Sequence, residues 1–288
     1  MRPGQKKLRI VIPKGRICQN VVTLLNDAGM NLLLNERIYR PIVKDAEVEI
    51  KIMKSQNIPK LVELSSHDVG FTGYDWIVET GADVVEIMDL KFDQVKIVAA
   101  IPRNLSRESI GKRRIIVASE YEQISRIYLE KNKFDFVFLR TYGATEVFPP
   151  DDADMIIDNT ASGRTLEEHN LSVIDTILES STRFIANKEA LADPLKSEKI
   201  FEMKMLFQAI IDARERVMLE MNVSKERMEE IVKVLPCMRS PTVAPLYGEQ
   251  GYAVKVAVKK QEVAKLIPFL KKLGATDILE YEMRKVVL

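Results

Sequence analysis

Between Met155 and Leu166 the sequence passes from Met155, Ile156 and Ile157 through Asp158 and Asn159 into Thr160, Ala161, Ser162, Gly163 and Arg164. It then enters Thr165-Leu166-Glu167-Glu168, a helix-forming stretch. A short apolar run that ends in a carboxylate and opens through a hydroxyl-and-glycine loop into a helix is a strand–loop–helix unit, the building block of α/β folds. The same segment carries chemistry. A carboxylate at a strand end accepts hydrogen bonds from two adjacent ribose hydroxyls. The backbone N–H groups of Ala161 to Thr165, with the hydroxyls of Ser162 and Thr165, can close around a phosphate at the positive end of the next helix. Gly163 lets the backbone approach that anion. The residues alone leave a second reading open: Thr165-x-x-Glu168 is also a capping box, in which Thr165 only starts a helix and Asp158 only ends a strand.

The rest of the chain repeats the alternation. Leu8–Ile12 reads as a buried strand, and Ile17, Val21, Leu24, Leu25 and Ala28 share a helical face that Gly29 closes. Short strands are predicted at 69–72, 97–101, 115–118, 136–139 and 156–157, with a helix over 122–131 and a long one over 195–213. Beyond it the order is strand 216–223, helix 225–235, strand 242–246, strand 252–258, helix 261–273 and strand 278–287, a βαββαβ ferredoxin-like unit. At 288 residues the chain suits two or three domains.

Composition excludes several classes. The net charge of +1 gives no global field for nucleic acid or an anionic membrane. Two cysteines and two histidines, far apart in sequence, form no zinc-type spacing. The apolar stretch after the basic N-terminus stops at Pro13, too soon for a signal segment or a span. A cytoplasmic protein is expected.

Read outward from the loop, the chain resembles ATP phosphoribosyltransferase, long form, the family that opens histidine biosynthesis. The resemblance rests on Leu8-Arg9-Ile10-Val11-Ile12-Pro13-Lys14-Gly15-Arg16, on 68–76 (Asp68 to Trp76), on Gly143-Ala144-Thr145-Glu146 and on 153–158. It continues through Leu178-Glu179-Ser180-Ser181, Ile185-Ala186-Asn187 and Ser240-Pro241-Thr242-Val243-Ala244-Pro245-Leu246, in the family's order. It implies a two-lobed periplasmic-binding-protein-like catalytic part plus the ferredoxin-like domain. Lobe I would be residues 1–97, completed by about 184–213; lobe II, 98–183, would carry the phosphoribosyl diphosphate loop; 214–288 would be a regulatory histidine-binding domain.

The implied reaction is attack of adenine N1 of ATP on C1 of 5-phosphoribosyl 1-diphosphate, expelling pyrophosphate. N1 attacks with a lone pair, so the chemistry needs positioning and charge neutralisation rather than a strong base. The catalytic candidates are Asp158, Asp154 on the approach to the same strand end, and Arg16. Phosphoribosyl diphosphate falls to Asp158, Thr160, Ala161, Ser162, Gly163, Arg164 and Thr165. ATP falls to Lys14, Gly15, Arg16, Gly73, Asp75 and Glu146, although Asp75 also suits a helix cap. Mg²⁺ is expected, held mainly by substrate phosphates, with no metal ligands assigned to the protein. The resemblance also implies inhibition by L-histidine, bound by Asn222, Met238 and Thr242, and homo-oligomers ranging from dimer to hexamer.

Three departures stand out: Ser162-Gly163 where the family usually has Thr-Gly, a Pro-Asp stretch at 149–152, and Lys54 to Asn57 in place of an arginine and an aspartate. Two other functions are weighed. A salvage-type phosphoribosyltransferase carries paired carboxylates before its loop, whereas Asn159 follows Asp158 here. A bilobal anion-binding protein would have no use for a feedback-type tail.

Overall fold

The computed structural model describes residues 7–33, 39–238, 240–249 and 251–287. Residues 1–6 and 34–38, assigned above to lobe I, lie outside the described ones. The chain divides into two compact units, 1–201 and 202–288.

The first unit contains two five-stranded sheets built to one plan. Its elements are β1 (Leu8–Pro13), α1 (Arg16–Asp27), β2 (Val48–Met53), α2 (Ile58–Glu63), β3 (Val69–Gly73), α3 (Tyr74–Thr80) and β4 (Val85–Asp89). Then follow β5 (Val95–Pro102), α4 (Arg107–Ile110), β6 (Ile115–Ser119), α5 (Glu122–Lys131), β7 (Phe136–Arg140), β8 (Met155–Thr160), α6 (Arg164–Glu168) and β9 (Leu171–Ser180). β10 (Thr182–Ala186), α7 (Lys188–Ala192) and α8 (Pro194–Arg214) complete the series, α8 running on into the second unit. The strand orders are β2-β1-β3-β10-β4 and β7-β6-β8-β5-β9. In each sheet four strands run one way, and the strand fourth in the order runs antiparallel to both its neighbours. That fourth strand is the one that crosses over: β5 leaves the first lobe to enter the second sheet, and β10 returns. This is the two-lobed α/β arrangement of periplasmic-binding-protein type.

The central parallel strands β1 and β3 are buried along almost their whole length, as strands covered by helices on both faces are. β3 is buried throughout, and Phe71 on it stacks on Phe184 of the returning β10 at 5.0 Å. In the second lobe, Ile97, Ala99, Val117, Met155 and Ile157 form a core into which Trp76 of α3 also packs. At the outer end of β3, Asp68 is 2% exposed and bonds Arg9 at 2.7 Å and Lys196 of α8 at 2.8 Å. Burial opposes the charge, but these two cations hold its carboxyl below the usual carboxylate range.

The second unit has β11 (Arg216–Val223), α9 (Met228–Val234), β12 (Thr242–Pro245), β13 (Tyr252–Lys259), α10 (Lys260–Lys272) and β14 (Thr276–Glu282), in the order β12-β13-β11-β14. Val217, Leu219, Met221, Val223, Val254, Val256 and Val258 alternate toward one core face, as period-2 strands require. Two element boundaries differ from the sequence reading. The predicted helix 225–235 opens as a 3-10 turn at Lys225–Arg227, and α9 begins only at Met228. The last strand runs over 276–282 rather than 278–287, because pairing with β11 ends at Val217 and Glu282. Among the described residues, no helix is long and apolar enough to cross a membrane.

Candidate active site

Four strand ends meet where the two lobes face each other, at the crossing points of the chain, the place where open parallel sheets take ligands. β1 ends at Lys14-Gly15-Arg16, with Gly15 at φ 89° as the residue before α1. That conformation needs glycine, and nothing lies within 4 Å of where its Cβ would be. Lys14 Nζ lies 3.3 Å from the Tyr39 hydroxyl, and Arg16 Nε lies 3.9 Å from Asp93. Both cations line a cavity of about 210 Å³ together with Gly73, Asp75, Tyr121 and Asn159.

Asp75, in the first turn of α3, is 4% exposed and turned inward. A Cβ on Gly73 would fall 2.1 Å from its Oδ1, so the glycine makes room for the carboxylate. The Ser180 hydroxyl donates to Oδ1 at 2.6 Å and the Tyr121 hydroxyl to Oδ2 at 2.8 Å. Asn159 Nδ2 donates to the Tyr121 oxygen at 3.2 Å, and Trp76 stacks on the Tyr121 ring at 4.6 Å. Burial pushes the Asp75 carboxyl above its ordinary range despite these donors. It also pushes the Tyr121 phenol up, with the charge of Asp75 adding to it.

On the second lobe, Asp158 stands in β8 with its carboxylate taking the Asn159 N–H at 2.7 Å. Its carboxyl is pushed up to about 6, first by desolvation and then by Glu120 and Glu146, against the bonds from Asn159 and Thr145. The following loop turns through Gly163 at φ 81°, the residue before α6, with open space at its Cβ position. Thr160 Oγ1 accepts the Gly163 N–H at 2.9 Å, which folds the loop back over the strand end. A carboxylate and a small-residue loop thus flank one end of the crevice, and two cations and a buried Asp–Tyr pair flank the other.

The sequence model of the family described as ATP phosphoribosyltransferase matches residues 54–210. A second, described as the HisG C-terminal domain, matches 213–285. An ATP phosphoribosyltransferase of Chlorobium phaeovibrioides is 40% identical over 296 aligned positions covering 100% of each chain. The chain belongs to the ATP phosphoribosyltransferase family. A relative of the same description from Pelodictyon phaeoclathratiforme is 39% identical across 97% of each chain. Among solved structures, a Thermotoga maritima ATP phosphoribosyl transferase (HisG:HisZ) complex chain superposes with TM-score 0.62 at 22% identity. It covers 70% of this chain and 98% of that one, a likeness of fold. With the C-terminal model matched as well, the transferase is a long-form member. It is an enzyme of pentosyl transfer, at the first step of histidine biosynthesis.

Within the transferase, the candidate residues do not all converge. Asp154 precedes β8 and lies at the far end of that strand from Asp158, ~13 Å along a four-residue rise. Its oxygens take Arg113 Nη2 at 2.5 Å and the Ile116 N–H at 2.8 Å. The expectation that Asp154 approaches the crevice is therefore corrected: it fixes the entry to β6. Glu146, grouped above with the nucleotide residues, sits in the 3-10 turn at Thr145–Val147 and acts electrostatically on Asp158. Arg164 is bonded along its own helix to Glu168 at 2.8 Å, with its side chain 83% exposed. Gly163, not Thr165, precedes α6, and no side-chain cap is formed there, so the capping-box reading of Thr165 fails. Tyr121, Asn159 and Ser180 escaped the sequence reading as site residues. Tyr121 follows the end of a parallel strand, and that position was the available signal.

In the second unit Asn222 and Thr242 lie on the sheet face opposite the core. β13 runs between their strands, which leaves them ~10 Å apart sideways. Met238 is 42% exposed in the segment between α9 and β12.

Proposed function

We propose that the crevice of the first unit holds ATP against Lys14, Gly15, Arg16, Gly73 and Asp75, and 5-phosphoribosyl 1-diphosphate against Asp158 and the loop Thr160 to Thr165. Adenine N1 attacks C1 of the ribose with its lone pair. The C1–O bond to pyrophosphate breaks on the opposite face, and N1-(5-phosphoribosyl)-ATP results. The observation that carries this reading is Asp158 at the strand end, beside a loop whose glycine leaves open space above the backbone. The carboxylate accepts two ribose hydroxyls, the loop N–H groups take the 5-phosphate, and the cations at the end of β1 neutralise the other phosphates.

The donor set suits Mg²⁺ brought in by the substrates. Among the described residues no three His, Cys, Asp or Glu side chains form a metal cage, yet Glu120 and Glu146 are close enough to disfavour the charge of Asp158. These hard oxygen donors would face a cation coordinated mainly by phosphate oxygens. Bound there, Mg²⁺ would neutralise the departing pyrophosphate.

For the second unit we infer a sensor of L-histidine, with Asn222 and Thr242 meeting its polar groups and Met238 packing on the imidazole. Effector binding need favour a less active arrangement of the lobes by only ~1–3 kcal/mol to regulate. Assembly of the chain as a homo-oligomer belongs to the same reading. The test of activity is incubation with ATP, 5-phosphoribosyl 1-diphosphate and Mg²⁺, followed by mass spectrometry. A product equal in mass to ATP plus a phosphoribosyl group supports it, and unchanged substrates sink it. Loss of histidine inhibition in Thr242→Val would support the sensor, and equal inhibition would remove Thr242 from it.

A further inference from the structure

Asn222, Met238 and Thr242 carry no charge, whereas an amino-acid effector brings an ammonium group that is costly to desolvate without an anion. The second unit supplies one. Asn222 Nδ2 donates to Asp277 Oδ2 at 2.8 Å, and the Thr276 hydroxyl donates to the same oxygen at 3.2 Å. Both bonds fall on Oδ2, so among the described residues they hold the carboxylate while leaving Oδ1 for a further donor.

The backbone is shaped to allow this. In a regular strand Asp277 would face away from its neighbour Thr276, which pairs with Asn222. Instead Asp277 adopts φ 46°, and the β11–β14 register shifts between Glu220 and Asn222. The left-handed residue and the irregular register bring its carboxylate to the side chain of Asn222. Next to Asn222 in the same row, on the side away from β14, stand the small residues Ala253 and then Ala244.

We propose that Asp277 receives the α-ammonium group of the effector, with Asn222 orienting its carboxylate. This rests on the reading of the second unit as a histidine sensor. Titration calorimetry of the full-length protein with L-histidine, and with 3-(imidazol-4-yl)propionate, which lacks the ammonium, tests it. Asp277→Asn keeps a residue that tolerates positive φ and removes only the charge. It should weaken histidine on the order of tenfold or more. The preference of the unmodified protein for histidine over the desamino analogue should shrink with it. Asn222→Asp combined with Asp277→Asn returns a carboxylate to the same pair and should recover binding, which separates lost charge from lost folding. Equal histidine affinity in Asp277→Asn and the unmodified protein, or equal weakening toward both ligands, would overturn the role of Asp277 alone. Absence of histidine binding to the unmodified protein would overturn the sensor reading and this assignment with it.

Discussion

The Tyr121 hydroxyl donates to Asp75 Oδ2 across 2.8 Å, joining a residue that follows β6 of the second lobe to the first turn of α3 in the first. The bond is to a carboxylate from which water is excluded, so its loss acts on the ionised form. Asp75 has a raised carboxyl, and removing a donor raises it further. Tyr121→Phe should therefore lower stability on the order of 1–3 kcal/mol at pH 8. The difference should fade as pH falls toward the ordinary carboxylate range, where Asp75 is protonated in both states. Urea unfolding at pH 8 and pH 4 checks this, and a pH-independent loss would mean that the phenol acts through packing alone.

Asp158 is raised as Asp75 is, but there the variant should gain stability rather than lose it. Its carboxyl is raised to about 6 in the folded protein, so the native state binds a proton more tightly than the unfolded chain does. Folding stability then falls as pH climbs from about 4 to about 6, and stays lowered above that. Asp158→Asn should match the unmodified protein near pH 4 and exceed it on the order of 2–3 kcal/mol at pH 8. A variant less stable than the parent at pH 8 would contradict the desolvation of this carboxylate.

Much of this was legible in the chain. The hydroxyl-and-glycine loop after Asp158 marked the strand end, and alternation in β11 and β13 marked the second sheet. The edge strands β2, β4 and β9 were harder to read. Between its buried ends β9 mixes exposed and half-buried residues with no period of two, and β4 sets its two buried residues side by side. Asp154 was misplaced because sequence puts it four residues from Asp158, while strand geometry turns that into opposite ends of the sheet. Tyr121 belongs to the site through contacts with α3 and β8, and its place just after a parallel strand was the one local sign of that.

Gly163→Val would place a branched side chain at φ 81°, with no neighbour to clash but a backbone conformation that L residues resist. The local strain, on the order of 1–2 kcal/mol, should distort the loop more than the fold. Binding of 5-phosphoribosyl 1-diphosphate should weaken much more than binding of ATP. Parallel titrations decide it: equal weakening would mean that the loop serves the other substrate.

Asp68 is 2% exposed and pairs with both Arg9 and Lys196. Asp68→Ala strands the Lys196 ammonium, whose side chain is 13% exposed. The expected destabilisation is on the order of 3 kcal/mol at pH 7. Because the native carboxyl is held low, that contribution is present above about pH 4 and is lost as pH falls through the native value. A chemical-denaturation series from pH 7 down to pH 3 should show the two proteins converging. A gap that widens in acid would exclude the ion pairs as its source.

The central claim is that Asp158 holds the ribose during transfer, and the kcat/KM of Asp158→Ala for 5-phosphoribosyl 1-diphosphate tests it most directly. Product formation followed by mass at saturating ATP and Mg²⁺ should fall on the order of 10²–10³-fold relative to the unmodified protein. Retention of near-normal kcat/KM in a folded Asp158→Ala protein would contradict the account.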